Sequence, residues 1–421
     1  MVFPVLPETG AADESILRSH LQTTLQQCRD GTLALVNGIS PTVLQQQAHP
    51  DFSPVGWHLG HIAFTESLWI LEHLAQQPCP FLHYRTLFAA DGLPKAQRQR
   101  LPSLEELLTF LADIRQRVLV YLSQAPLMEQ SRLWYWLIQH ECQHSETMSL
   151  VMALHRTQGQ PTPLPETVTD SDRPWEMPKG MVRIPGQSVR LGLSFDGPEN
   201  EIAIDNEQPA HWVDVASYQM DCTPVTCGQY EVFMASGGYQ DRQWWCDAGW
   251  SWLQQTDVTQ PLYWPGQNLR ALIHHPVCGV NWYEASAYAR FVGKRLPTEA
   301  EWALASQGLR HRLPQLLAAD QINCNHRLGY TSPVGLSDQV SDYGCYDLLG
   351  NVWEWTNSWF RPYPKFQAYP YRGYSAVYFD DGHRVLRGGS WATRPWALRP
   401  SFRNWYEPHV RELFMGFRCV V

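Results

Sequence analysis

The sequence predicts an α+β chain, with an N-terminal four-helix bundle followed by a mixed domain of short strands and helices. Three observations carry the prediction. Apolar residues recur at helical spacing in four long stretches before residue 160. The segment TQGQPTPLPETVTDSDRPWEMPKG then breaks the pattern with proline, threonine and acidic residues, as a linker does. Beyond it the runs are short and alternating, and glycine, tryptophan and turn residues are frequent. The expected organisation is a bundle over residues 1–160, a linker over 161–175 and a mixed domain over 176–421.

Each element has its own local reason. The first helix is expected from Ser15 to Leu35, where Ile16, Leu17, Leu21 and Leu25 fall at helical spacing. The second starts near Pro54 and runs to about Gln76, with Ile62, Leu68, Trp69 and Leu71 in a broad apolar stripe. Pro102 and Ser103 are start signals for the third, PSLEELLTFLADIRQRVLVYLSQ. The fourth spans Ser131 to Arg156. In the second half, MVRIPGQSVRLG and HWVDVASYQM alternate as strands do. NWYEASAYARFVGKRL reads as a helix, and Thr298 with Glu301 three residues on forms a capping box for the next one.

Composition narrows the function. Hydrophobic residues make up 44% of the 421 and charged residues 17%, enough for sizeable cores. A formal net charge of −9 without a long basic run argues against nucleic acid or an anionic membrane as the main partner. No apolar run reaches membrane-spanning length. The opening residues lack a basic start followed by an apolar stretch, so no export signal is expected. The ten cysteines are scattered without a C-x-x-C pair, which reads as a cytoplasmic chain with reduced thiols. The 19 tryptophans supply core, and some suit a pocket for an aromatic or cationic ligand.

The chemistry-bearing stretch is LIQHECQHSETMSL. His140 and His144 lie four apart, so on a helix they project from one face and can share an ion. A third ligand should come from the second helix, which offers His58 and His61; Glu66 and Glu146 are carboxylate candidates. H-E-x-x-H is also the zinc peptidase pattern, with the glutamate as general base. The extended H-E-x-x-H-x-x-G-x-x-H form is absent, because SETMSL follows His144. A pair of hydrogen-bonded core histidines is the third reading. Three histidines with open positions suit a catalytic metal, and ligand type alone does not separate zinc from Fe(II).

GWHLGHIAFTESLWILEH followed by LIQHECQHSETM resembles the DinB-like bundle of the ergothioneine sulfoxide synthases. LPTEAEWALA, GNVWEWTNSWF, RVLRGGSWAT and RPSFRNWYEPHVRELFMGFRC resemble the formylglycine-generating-enzyme-like domain, a C-type-lectin-like fold. Together, in this order, they cover nearly the whole chain. The resemblance implies a mononuclear non-haem Fe(II) enzyme that uses O2 to join sulfur or selenium to C2 of the imidazole of hercynine. It places the iron ligands on His61, His140 and His144, preferring His61 to His58 because GHIAFTE matches the family's ligand pattern. It places Gln143 on the substrate imidazole, and Asn404 and Trp405 near the trimethylammonium and carboxylate of hercynine. It implies a tyrosine beside the iron as proton donor, for which Tyr363, Tyr369, Tyr371, Tyr374 and Tyr378 are candidates. It sets the active site between the bundle and the lectin-like domain.

Two departures bear on the second substrate. Where many members carry Leu-Phe-Asn-Ser-Tyr-Tyr, this chain has YRTLFAADG. Where the branch using γ-glutamylcysteine has an acid after Arg-Asn-Trp, this chain has Tyr406 and then Glu407. A selenosugar, as in the selenoneine synthase branch, is therefore favoured over a cysteine-type thiol. Arg85 and Arg411 are candidates for donor carboxylate or hydroxyl groups, with structural ion pairs as the plain alternative. After Ser390 only Cys419 remains, which argues against formylglycine-generating activity itself. A purely lectin-like binding module has no need of three histidines on two helices.

Overall fold

The computed structural model describes residues 11–157 and 176–421; the linker expected over 161–175 lies outside the described residues. The chain divides into two compact units. One holds the helices up to Thr157 together with Asn200–Ile202, and the other holds the remaining described residues through Val421.

Four long helices make the first unit: α1 (Ala11–Val36), α2 (Val55–Glu66), α3 (Leu104–Leu122) and α4 (Leu127–Thr157). The expected second helix is in fact two segments. After Glu66 the chain continues as a wider π-helix, Ser67–Leu74, closed by Ala75 N–H donating to the carbonyl of Ile70. Helix α3 starts where its sequence signal puts it: Ser103 and Glu106 form a reciprocal capping box. Helix α4 begins at Leu127 rather than Ser131, and its first N–H donates to Glu14 of α1 at 3.0 Å. Helix α1 packs against α4, and α2 against α3 and α4. Leu21, Leu25, Ile62, Leu111, Ile114, Trp134 and Ile138 are all buried. No helix among the described residues is long and apolar enough to cross a membrane.

In the second unit, MVRIPGQSVRLG is two strands, β1 (Met181–Ile184) and β2 (Gln187–Leu191). β3 (His211–Val215) pairs antiparallel with β2, and β4 (Tyr218–Asp221) with β1. A four-stranded sheet follows in the order β7–β6–β5–β8, built from β5 (Trp353–Trp359), β6 (Arg384–Arg387), β7 (Asn404–Tyr406) and β8 (Met415–Gly416). The two expected helices lie at Trp282–Phe291 and Glu299–Ala305, the second with its Thr298–Glu301 capping box. None of the ten cysteines forms a disulfide.

The motifs of this half are parts of two buried ion networks. Glu354 of GNVWEW meets Arg418 of GFRC at 2.7 Å and accepts from the Trp302 indole at 2.9 Å. Glu299 of LPTEAEW takes Arg387 of VLRGG and Arg403 of FRNWY, each at 2.7 Å. Burial of these charges is tolerable only because each is paired. Gly388 has φ +96°, and a Cβ there would sit 2.5 Å from the Leu348 carbonyl oxygen, so RGGS needs glycine at this turn. Pairing of Arg403 with Glu299 also fixes the start of β7, which carries Asn404, Trp405 and Tyr406.

Candidate metal centre

Helix α2 presents His58 and His61, and α4 presents His140 and His144. His61, His140 and His144 each offer one ring nitrogen, and the three atoms lie within 4.8 Å of one another. The Nε2 atoms of His140 and His144 are 3.1 Å apart. Two nitrogens each about 2.1 Å from one ion, at adjacent positions, lie roughly 3.0–3.4 Å apart, so the pair suits a shared metal.

The ring of His61 is aimed by its surroundings. Its Nδ1 lies 2.6 Å from the Phe88 carbonyl oxygen. A carbonyl only accepts, so Nδ1 carries the proton and Nε2 keeps its lone pair, with the Thr65 hydroxyl 3.4 Å away. Phe88 reaches this place because residue 60 is glycine: a Cβ there would fall 2.1 Å from the Phe88 ring. Trp57 stacks on His61 at 4.6 Å between ring centroids, and its indole donates to the Leu87 carbonyl at 2.7 Å. The Arg98 guanidinium lies 4.1 Å over Trp57 and donates to the carbonyls of Ala90 and Leu93 and to Ser53 Oγ. The segment after the second helix, from Leu87 to Leu93, is thus tied to the ligand helix at several points.

All four imidazoles are held neutral. Burial is the main cause for each; neighbouring imidazoles add to it for His58, His140 and His144, and Arg98 adds to it for His58 and His61, where the Phe88 hydrogen bond of His61 opposes it. His61 is pushed down to about 4 and His58 to about 3. Neutral nitrogens in a low-dielectric pocket are Lewis bases for a cation.

The glutamate of H-E-x-x-H points elsewhere. Glu141 is buried and receives Arg29 at 2.9 Å and Arg115 at 3.0 Å. Burial alone would raise its pKa; the two guanidinium groups outweigh that and hold it at about 2. A carboxylate so paired has no capacity to act as general base, which removes the peptidase reading. Glu66 is also no metal ligand, because Arg29 and Arg115 take it at 2.8 and 2.6 Å. Glu146 is half-buried, and the metal-capable group of the described residues does not include it.

Gln143 is half-buried on α4 beside His144. Trp405 is half-buried in β7, stacked on Phe360 at 4.6 Å with Tyr378 at 5.6 Å and Tyr374 at 6.2 Å. Asn404 accepts the Trp405 N–H through its own Oδ1 at 3.0 Å. Tyr406 is half-buried opposite Arg384 of β6. Glu407 is exposed and lies 3.4 Å from His409. Among the tyrosines, Tyr363 is spent on Glu299 at 3.1 Å. Asp205 accepts from Ser375 Oγ and from the Tyr369 N–H, pinning the segment that carries Tyr371 and Tyr374. Arg85 pairs with Glu72, and Arg411 with Glu284, as the plain alternative had it.

Sequence reasoning missed Phe88, Trp57, Arg98 and Asp205. Only Trp57 had a signal, an aromatic one turn before a ligand; the others act through backbone groups or distant loops.

The chain matches the model of the sulfatase-modifying factor enzyme 1-like domain over residues 167–421 and that of the DinB superfamily over residues 24–148. It is 36% identical to a hercynine oxygenase of Mycolicibacterium thermoresistibile, covering 95% of this chain and 94% of that one. It is likewise 36% identical to a hercynine oxygenase of Mycobacterium tuberculosis, over 94% and 96% of the two chains. An inactive C-alpha-formylglycine-generating enzyme 2 of Bos taurus is 29% identical over 57% of this chain and 87% of its own.

Proposed function

Because the chain belongs to the hercynine oxygenase family, we propose that it is a non-haem Fe(II), O2-dependent enzyme joining a chalcogen to C2 of the hercynine imidazole. His61, His140 and His144 are the proposed ligands. The observation that carries the reading is their convergence, with the Phe88 carbonyl setting the His61 tautomer, in a chain alike to these relatives along nearly its full length. Bound iron supplies a redox-active centre with positions left over for O2 and substrates. The protein's part is orientation and proton handling.

Gln143 is proposed to hydrogen-bond the hercynine ring. Trp405 offers an aromatic face to the trimethylammonium group, worth ~0.5–2 kcal/mol when desolvated. Asn404 supplies a polar group for the hercynine carboxylate, and Tyr406 shapes the donor side. A selenosugar is favoured over a cysteine-type thiol. The support is the changed donor-side pair: YRTLFAADG in place of the tyrosine-bearing run, and Tyr406 in place of an acid, with Glu407 engaged by His409.

The test is to supply Fe(II)-loaded protein with hercynine and O2, and separately with cysteine, γ-glutamylcysteine or a selenosugar, and to weigh the products. The selenosugar is expected to give the major C2 adduct. Product from γ-glutamylcysteine alone contradicts the donor assignment, and no adduct or O2 uptake with any donor contradicts the reaction.

A further inference from the structure

His58 was a candidate ligand in the sequence, and the structure gives it another place. Its Nδ1 lies 2.8 Å from Nδ1 of His144, the nitrogen on the opposite side of that ring from the Nε2 that faces His140. Two nitrogens of one imidazole diverge, so an ion held by His144 Nε2 is out of reach of His58 Nδ1. We propose that His58 is a positioning residue: it accepts the Nδ1 proton of His144 and thereby fixes the tautomer and ring direction of that ligand.

Proton count sets the direction of this bond. A neutral imidazole that gives its Nε2 lone pair to a metal carries its proton on Nδ1. That proton has an acceptor at hand: buried His58 sets its Nδ1 2.8 Å from Nδ1 of half-buried His144. His58 therefore accepts at Nδ1 and carries its own proton on Nε2, a buried atom without a hydrogen-bond partner among the described residues. The parallel with His61 is close. There a main-chain carbonyl receives the Nδ1 proton; here a second histidine, one turn earlier on the same helix, performs the same task.

The inference rests on the three-imidazole reading, and the experiment separates the two. Co(II) binding to the full chain is measured by calorimetry and by its visible absorption spectrum, with a thermal melt of each metal-free variant as a fold control. His58→Leu removes the acceptor and is expected to weaken binding about 10- to 100-fold and shift the spectrum. His58→Asn places an oxygen where Nδ1 lies and is expected to restore both; His58→Gln places it one bond further and is expected not to. If His58→Leu does not fold, the Asn and Gln pair decides alone. Wild-type affinity and spectrum in His58→Leu, or Asn and Gln behaving alike, overturns the proposal. His140→Ala tells the two failures apart. Co(II) retained there sinks the three-imidazole site itself, whereas Co(II) lost there but unaffected in His58→Leu sinks only the role of His58.

Discussion

Two buried polar clusters sit on the same helices and are built on opposite terms. Helix α2 contributes His61 to one and Glu66 to the other; α4 contributes His140 and His144 to one and Glu141 to the other. In the charged cluster, Arg29 and Arg115 each meet both glutamates, so two positive and two negative charges close on themselves. In the imidazole cluster, neutral nitrogens face one another and nothing within it supplies a positive charge. One cluster is complete as it stands, and on the proposed reading the other takes a cation. The H-E-x-x-H motif is thus divided: its histidines join the imidazole cluster and its glutamate joins the charged one.

The sharpest way to break this comparison is at Glu141. Glu141→Ala leaves two buried guanidinium groups under-paired and is expected to cost ~3–5 kcal/mol of stability, read by urea unfolding of the metal-free protein. A loss under 1 kcal/mol, or loss of metal without loss of stability, would move Glu141 to the other cluster. Gly60→Ala drives a methyl into the Phe88 ring and is expected to cost ~1–3 kcal/mol, with weaker metal binding as His61 loses its carbonyl partner. Unchanged affinity would show that Phe88 does not aim the ring.

Acid sharpens the contrast further. His61 titrates near 6.5 when unfolded and at about 4 when folded, so the unfolded chain binds more protons in between. This stability is full above about 6.5 and is lost as pH falls toward about 4. At pH 5.5 the cost is ~1 kcal/mol per such imidazole. Metal-free His61→Ala should show a smaller decline between pH 7.5 and 5.5 than wild type; an equal decline assigns the effect elsewhere. The smallest effect lies outside both clusters. Trp405→Ala should leave the metal content unchanged while raising the hercynine KM about 2- to 30-fold, more than the donor KM. The reverse ranking removes Trp405 from hercynine recognition.

Much of this was legible in the sequence because its causes are local. Ser103 with Glu106, and Thr298 with Glu301, announce helix starts through a three-residue spacing. His140 and His144 announce a shared face through a four-residue spacing. What was not legible depends on tertiary partners. Nothing in GWHLGHIAF says that Phe88 will lie on Gly60, or that His58 will meet His144 rather than a metal. Glu66 read as a ligand candidate because Arg29 and Arg115, far away in the chain, are invisible to a local pattern.

Three imidazoles from α2 and α4 are proposed to hold one ferrous ion. Anaerobic Fe(II) titration of the wild type and of His61→Ala, His140→Ala and His144→Ala, each checked by a cooperative melt, tests it most directly. One tightly bound iron per wild-type chain is expected, and none in any folded variant. Full iron occupancy in a folded His140→Ala or His144→Ala variant would contradict it.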